Sequence, residues 1–424
     1  MSKYLVEKYP DMINEVDNCK GSAAHYAASG GNVSVLQYLI DQDLDPWCRT
    51  VIQETLLHRS CLKGQLEMRK YLVEKYPDRI NEVDNCKRSS AHSAASGGNV
   101  YVLQYLIDQG LDPWCRTATK ETFVHRPCLK GQLEMSKYLV EKYPDMINEV
   151  DNCKGTPAHY AAFGGNVSVL QYLIHQGLDP WCRTDTQETL LHMSCLNGQL
   201  EMSKYLVEKY PDMINEVENC KRTPAHSAAY GGNVSVLKYL IDQGLDPWCR
   251  TATQETLLHM SCFHRQLEMS KYLVEKYPDM INEVDNCKRS AAHYAASGGN
   301  VSVLQYLIDQ GLDPWCRTAT QETLLHRSCL NGQLEMSKYL VEKYPDMINE
   351  VENCKRTPAH SAAYGGNVSV LKYLIDQGLD PWCRTATQET LLHMSCLNRQ
   401  LEMRKYLVEK YPDMINEVDN CNGT

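Results

Sequence analysis

The chain has 424 residues, a formal net charge of −10 and 43% hydrophobic residues, which is the composition of an ordinary globular protein. It has no apolar run long enough to cross a bilayer, and its first residues lack the apolar region of a secretory signal peptide. We therefore expect a cytoplasmic or nuclear protein that is neither secreted nor inserted into a membrane. The acidic charge and the lack of a basic run argue against nucleic acid and favour a protein partner with a basic patch.

One repeated unit accounts for nearly the whole chain. The hexapeptide DPWCRT recurs every 67 residues, with its tryptophan at Trp47, Trp114, Trp181, Trp248, Trp315 and Trp382. A fixed period of this kind is typical of repeat architectures. It predicts a repeat domain over residues 20–421, made of six copies at 20–86, 87–153, 154–220, 221–287, 288–354 and 355–421. Residues 1–19 match only the end of a copy, as a partial repeat with a second helix and a loop, and 422–424 are a tail.

The first half of each copy, which we call half A, predicts two helices; in the third copy it spans residues 154–184. Thr156 is a suitable N-cap and Pro157 suits the first helical position. The pair Gly164 and Gly165 ends this first helix, and apolar residues at helical spacing predict a second helix that starts near Val167.

Half B, residues 185–220 of the third copy, repeats the arrangement with a different sequence. The run ETLLHMSCL at 188–196 predicts a first helix, Asn197 and Gly198 a turn, and LEMSKYLVEKY at 200–210 a second helix that Pro211 ends. Local departures occur in other copies. Pro127 falls inside a first helix and should distort it, and Arg265 and Arg399 stand where other copies have a turn glycine.

These motifs resemble the ankyrin repeat family. The run TPAHYAA at 156–162 is similar to the family hallmark Thr-Pro-Leu-His-x-Ala-Ala, and TLLHMSC at 189–195 follows the same pattern. The resemblance covers essentially the whole chain, as twelve repeats plus a partial one. It implies an all-α, ankyrin-type helical solenoid of stacked helix-turn-helix units with hairpin loops. The competing solenoid, the tetratricopeptide repeat, fits less well because its Trp-Leu-Gly-Tyr pattern is missing.

Twelve of the fourteen histidines occupy the hallmark position, as His159 does. They could be metal ligands or general bases, but one identical histidine per repeat without a carboxylate at a fixed offset favours a scaffold role. In the ankyrin family this histidine is similarly structural. His175 and His264 lie off the pattern, as surface substitutions do.

The cysteines come three to a copy, as at Cys48, Cys61 and Cys86, and no two lie close enough for a zinc motif. Cys61 takes a position that needs a small buried residue, whereas Cys48 and Cys86 lie in loops and could be exposed thiols. No phosphate-binding loop or catalytic signature is present. We therefore predict no enzyme activity, no catalytic residue, no metal site and no cofactor.

Two further motifs have structural interpretations. The Asn-Val-Ser runs, as at Asn166, match a glycosylation acceptor but are better explained as helix caps. The row of tryptophans could bind a partner, yet we favour a role in covering the edge of the next repeat.

The family resemblance also implies where a partner binds. The groove of ankyrin repeats is lined by the residue after the hallmark histidine, the residue after Ala-Ala and residues near the turn. These positions hold much of the variation among copies, and we expect the strongest binding between residues 156 and 264, where aromatic residues and methionines concentrate. The implied groove residues are Tyr26, Ser29, Arg59, Arg126, Tyr160, Phe163, Met193, Asn197, Tyr230, Met260, His264, Tyr294, Arg327, Tyr364 and Met394.

The predicted function is a scaffold or adaptor that binds a protein partner through this groove and the hairpin tips. The alternative is a structural or elastic spacer, or the repeat array of a larger signalling or cytoskeleton-linked protein. Copies 4 and 6 differ at only three positions, which indicates a recent duplication, so drift at exposed sites competes with selection for binding. Both ends of the array have the sequence of interior repeats, which predicts self-association through the ends.

Overall fold

The computed structural model describes residue 4 and residues 7–420, in two compact units, 1–213 and 214–424. The division falls inside the third copy rather than between two copies. The predicted tail, 422–424, and several residues of the predicted partial repeat lie outside the described residues.

The described part of the first unit contains six helix pairs. The first helices of its halves are Ala23–Gly30, Leu56–Leu62, Ser90–Ser96, His125–Lys130, Pro157–Gly164 and Leu190–Leu196. The second helices are Val33–Asp41, Leu66–Lys75, Val100–Asp108, Leu133–Lys142, Val167–His175 and Leu200–Lys209.

The second unit repeats this order over its described residues. Its first helices are Pro224–Gly231, Leu257–Phe263, Ala291–Gly298, Leu324–Leu330, Pro358–Gly365 and Leu391–Leu397. Its second helices are Val234–Asp242, Leu267–Lys276, Val301–Asp309, Leu334–Lys343, Val368–Asp376 and Leu401–Lys410. Half B closes with a short 3₁₀ helix, at Pro10–Asn14, Pro77–Arg79, Pro144–Asn148, Pro211–Asn215, Pro278–Asn282, Pro345–Asn349 and Pro412–Asn416. The predicted all-α fold of stacked helix-turn-helix units is confirmed.

The start of each first helix follows from its sequence. Thr156 has an extended conformation, with φ −87° and ψ 167°, and forms a capping box with His159. Pro157 occupies the first turn, where the amide that it lacks would have no partner within the helix. The helix ends at Gly165, whose φ of 75° is left-handed. A side chain on the neighbouring Gly164 would collide with the carbonyl oxygen of Leu129 in the preceding repeat.

Burial concentrates where helices of consecutive repeats meet. Helix Pro157–Gly164 packs against both His125–Lys130 and Leu190–Leu196. Its alanines are fully buried, as are Leu170 and Leu173 of the second helix in the same half. The small alanine side chains let the first helices approach closely, and the larger residues of the second helices fill the remaining space.

Hairpin loops join consecutive repeats through the backbone. The amide of Asp185 donates to the carbonyl of Cys153 at 2.8 Å, and the amide of Asn152 donates to the carbonyl of Thr119 at 2.9 Å. Within each unit, consecutive tips are bonded to each other in this way. Lys154, at the tip itself, adopts a left-handed φ of 57°.

One predicted helix cap is wrong. Asn166 occupies the N-cap position of helix Val167–His175 but makes no side-chain bond to that helix. Its amide instead donates to the carbonyls of Cys128 and Leu129 in the preceding repeat, at 2.8 and 2.9 Å. Those carbonyls end a first helix and have no partner inside it, so the asparagine satisfies the neighbour rather than its own helix.

The predicted departures from the pattern are confirmed. The helix that contains Pro127 begins only at His125 and is six residues long, whereas the equivalent Leu190–Leu196 has seven. Arg265 and Arg399 adopt φ values of 63° and 57°, in the left-handed region that the glycines of other copies occupy. Among the described residues, no helix is long and apolar enough to cross a membrane.

Candidate protein-binding face

The predicted groove residues lie on or beside the first helices, and they meet in clefts of different size and polarity. A cleft with a volume of about 420 Å³ belongs to the third copy. Three predicted groove residues, Tyr160, Phe163 and Met193, line it together. These side chains are half-buried, so they remain accessible to a partner.

The lining of this cleft combines two kinds of residue. Leu129, Phe163 and Met193 are apolar, whereas Asp151, Asp185 and Glu188 are acidic. No lysine or arginine belongs to the described lining.

The tyrosine in this cleft is held in place by its hydroxyl. Tyr160 donates to Asp151 Oδ2 at 2.8 Å, and the same carboxylate accepts the amides of Cys153 and Gly155. Burial, followed by the charge of Glu121, raises the pKa of the Tyr160 phenol above its usual range. The tyrosine therefore stays neutral and serves as a rigid wall of the cleft.

The corresponding cleft of the first copy is small and polar. Its volume is about 60 Å³, and it is lined by Asp17, Tyr26, Ser29 and Arg59. Tyr26 is 64% exposed and donates to Asp17 Oδ2 at 2.7 Å. Arg59 Nε lies 2.8 Å from a carboxylate oxygen of Glu54, so the arginine is already paired.

A third cleft lies in the sixth copy, in the second unit. Its volume is about 330 Å³, and Tyr364 and Met394 line it together with Arg356. Two glutamates, Glu322 and Glu352, also belong to the lining. Here an arginine side chain accompanies the carboxylates, unlike in the third copy.

Three predicted groove residues are not on an open surface. Met260, Tyr294 and Met394 are only 5%, 7% and 1% exposed. Tyr294 lies between two carboxylates, with its hydroxyl 2.6 Å from Glu255 Oε1 and 2.8 Å from Asp285 Oδ2. Their neighbours cover these three side chains, which leaves them little surface for a partner; their place in a binding groove stays a prediction.

The remaining predicted positions have local partners within their own units. Arg126 Nε lies 2.5 Å from Glu121 Oε2, and Arg327 Nη1 lies 3.9 Å from Glu322 Oε2. The other three positions form an amide hydrogen bond and a ring contact. Asn197 donates to the carbonyl of Phe163 at 2.8 Å, and the rings of Tyr230 and His264 are 3.6 Å apart between centroids.

His159 joins two repeats, as the scaffold interpretation of the hallmark histidines predicts. The backbone amide of Thr156 donates to His159 Nδ1 at 3.2 Å, so Nε2 carries the proton and donates to the carbonyl of Glu188 at 3.3 Å. Burial lowers the pKa of His159 to about 4. A neutral histidine with both nitrogens bonded to its surroundings is a structural element. Among the described residues, no group of three histidine, cysteine or acidic side chains is arranged to hold a metal ion.

The cysteines divide into three environments. Cys61, like Cys195, is fully buried, and burial raises the pKa of both thiols to about 12. Cys86 is exposed, as predicted. Cys48 is only partly exposed, because its sulfur lies 3.1 Å from the hydroxyl of Ser22. The prediction of an exposed loop thiol is therefore wrong for Cys48.

Each tryptophan of DPWCRT packs on a tyrosine of the following half B. Trp181 contacts Tyr210 edge to face, with ring centroids 6.1 Å apart and planes at 73°. About three fifths of the tryptophan side chain is covered, since it is 38% exposed. This geometry supports the structural interpretation of the row.

The sequence interpretation missed Asp185. The other copies have Ala118, Ala252, Ala319 and Ala386 at this position, or Val51. The signal was a single acidic residue at a loop position where the copies otherwise have an apolar one. Only the structure shows that the position faces the same cleft as Phe163.

Comparison with known proteins agrees with the fold. A family model described as ankyrin repeats (3 copies) matches residues 1–84, 143–216, 158–251, 191–283, 277–350 and 345–419. A second model, described as ankyrin repeats (many copies), matches residues 91–140. The chain belongs to the ankyrin repeat family.

The curated relatives are larger and varied proteins. The chain is 27% identical to alpha-latrocrustotoxin-Lt1a of Latrodectus tredecimguttatus, over 52% of the chain and 16% of the toxin. It is 25% identical to the human transient receptor potential cation channel subfamily A member 1, over 47% of the chain and 19% of the channel. It is 26% identical to the target of rapamycin complex 2 subunit AVO2 of Saccharomyces cerevisiae, over 35% of each. The chain therefore spans about a fifth or less of the first two relatives.

Proposed function

We propose that this ankyrin repeat array is a protein-interaction scaffold or adaptor, and that its partner binds along the faces formed by the first helices and hairpin tips. The third-copy cleft carries the proposal. It gathers Tyr160, Phe163 and Met193, and its lining combines apolar with polar residues, as protein interfaces do. Ankyrin repeats in general form protein-interaction arrays, which supports the same function.

The test is affinity capture with a photo-crosslinking residue placed at Ser29, Asn197 or Tyr364, in parallel with the double variant Phe163→Ser, Met193→Arg. We expect a stoichiometric partner that crosslinks from one of these positions and is lost with the double variant. Serine and arginine are the natural pair of the fifth copy, at Ser297 and Arg327, so the variant keeps a combination that this fold already packs.

The chain offers a matched control. Tyr101 is 83% exposed on a second helix, where other copies have serine, as at Ser168. Tyr101→Ser removes an exposed aromatic ring away from the first helices, and it should leave partner capture unchanged. If the Tyr101 and Phe163 variants lose the partner equally, the binding face is not the one proposed.

The alternative function is a structural spacer or the repeat array of a larger protein. The small matched share of the relatives supports this alternative, because the chain matches only 16% of the toxin and 19% of the channel. A spacer requires no groove-dependent partner. Capture that yields nothing from any crosslinking position would therefore favour this alternative over the adaptor.

We also propose self-association through the last described repeat. Leu397 and Leu401 are 61% and 55% exposed, whereas the equivalent Leu330 and Leu334 are half-buried. Association should appear in sedimentation velocity as a mass that rises with concentration and falls with Leu397→Glu. We place the protein in the cytosol or nucleus, as the sequence predicts.

A further inference from the structure

One position near the end of half B differs in the first copy alone. The other five copies have a methionine there, within the run PDMIN, and these methionines are at most 1% exposed. The first copy has Arg79, with 45% of its side chain exposed. A side chain that is buried in five copies therefore lies at the surface in the first. The methionines are Met146, Met213, Met280, Met347 and Met414.

The arginine does not take the place of the methionine in the core. Its guanidinium carbon lies 4.0 Å from the centre of the Trp47 ring, and the same guanidinium is ion-paired with Glu82. Glu82 also pairs with Arg49 at 2.7 Å. A guanidinium among apolar side chains would lose its hydration, so the charged end of Arg79 stays at the surface over the tryptophan.

A pocket lies at this place in the first copy, and we call it the Trp47 pocket. Its volume is about 30 Å³, and its lining includes Trp47, Leu57, Leu72, Tyr76 and Arg79. This volume holds about two groups of the size of a water molecule or a methyl group. The pocket therefore has room for the end of one unbranched side chain and no more.

The leucines of the pocket show that their usual neighbour is missing. Leu57 and Leu72 are 7% and 5% exposed, whereas the equivalent Leu191 and Leu206 of the third copy are completely buried. The tryptophan and tyrosine rings have centroids 4.7 Å apart in the first copy and 6.1 Å apart in the third. The tryptophan thus lies closer to its tyrosine, but it does not cover the leucines. The site keeps its apolar walls without the side chain that fills it in other copies.

From these observations, and resting on the proposed function, we infer that the Trp47 pocket binds the end of a methionine, or of another unbranched apolar side chain, on a segment of the partner protein. The five other copies show that methionine fits among these residue types. Methionine is flexible enough to enter a narrow opening, and its sulfur makes favourable contacts with aromatic rings such as Trp47 and Tyr76. Arg79 and Arg49 are already paired with Glu82, so the side chain that enters needs no charge.

A second copy of the chain is the competing occupant. Among the described residues, Met12 is 57% exposed and could be offered by such a copy. The chain carries a net charge of −10, so two copies repel each other over long distances. This repulsion favours a segment of a separate partner over Met12.

The experiment selects peptides from a phage-displayed library of random dodecapeptides on the full chain, after depletion on the variant Arg79→Met. This variant restores the residue of the other copies, so it should fold, and its own methionine should fill the pocket. We expect the enriched peptides to share a methionine. In fluorescence anisotropy, valine in place of that methionine should weaken binding roughly 5- to 20-fold, whereas norleucine should keep it, because about two buried groups are lost only with valine. Arg79→Met should weaken the parent peptides by a similar factor.

Two further variants separate the pocket from the charge of the arginine. Arg79→Ala removes the guanidinium but leaves the pocket open, and it should change the affinity by about 2-fold or less. Met213→Arg, added to Arg79→Met, should open the equivalent pocket of the third copy, which has Trp181, Leu191, Leu206 and Tyr210 at the matching positions, and should restore binding. Circular dichroism checks that each variant is folded.

The inference fails if no peptide is enriched, if valine binds as well as methionine, or if Arg79→Ala weakens binding as much as Arg79→Met. It fails equally if the folded double variant binds no peptide. Loss of self-association in sedimentation velocity with Arg79→Met would also overturn it, since the occupant would then be a second copy. The proposed function survives those results if crosslinking still captures a partner from the groove, and it fails separately if none is captured.

Discussion

Acid should weaken the array through its hallmark histidines. His159 is buried, and burial lowers its pKa from an ordinary 6.5 to about 4, so it is neutral in the folded chain near pH 7. The unfolded chain takes up a proton as the pH falls below about 6.5, but the folded chain does not until about 4. The free energy of unfolding contributed by neutral His159 is therefore complete above pH 6.5 and is lost as the pH falls towards 4.

The loss can be worked out for a single site. At about pH 5, proton binding to a histidine with these two pKa values shifts the folding equilibrium roughly 30-fold towards the unfolded chain. This shift lowers the free energy of unfolding by about 2 kcal/mol. Four further histidines have their pKa lowered to about 4 by burial, namely His92, His259, His293 and His360. The second, fourth, fifth and sixth copies each contain one of these histidines. Each of these copies therefore adds a loss of unfolding free energy similar to that of His159.

The assay is urea unfolding followed by circular dichroism, at about pH 7 and about pH 5, where most ordinary carboxylates are still ionised. We expect the midpoint of unfolding to fall sharply at the lower pH. His175→Asp is the matched control, since His175 is exposed and the other copies have aspartate there; this variant should lose as much stability as the parent. Equal midpoints at the two pH values, or ring protons of His159 and of the four other histidines that titrate near 6.5 by NMR, would refute the reasoning.

Three substitutions and one alkylation reaction test the other local features. Arg399→Gly should raise the free energy of unfolding by about 1 kcal/mol by relieving a left-handed arginine, whereas Arg265→Gly should be nearly neutral, because Arg265 Nε also donates to the carbonyl of Gly298. Pro127→Ser restores the serine of the other copies and should stabilise the second copy by roughly 1–3 kcal/mol in the same urea assay. Alkylation followed by mass spectrometry should modify the exposed tip thiols well before the buried Cys61, Cys128, Cys195, Cys262 and Cys329; equal rates would contradict the burial.

The sequence predicted the repeat architecture because its signals are local and recur in every copy. Helix caps, turn glycines and apolar spacing act within a few residues. Thr156 and His159 form their capping box inside one helix, and the strain at Arg265 follows from one backbone angle. Such features can be derived from a short segment without knowledge of its neighbours.

The features that the sequence did not predict depend on contacts between repeats. Asn166 satisfies carbonyls that lie 37 and 38 residues earlier in the chain, so its N-cap position gave the wrong partner. Met260 and Tyr294 take positions that are open in other copies, but their own neighbours bury them. Burial in a groove depends on which side chains the adjoining copies supply, and this cannot be derived from the position within the repeat alone.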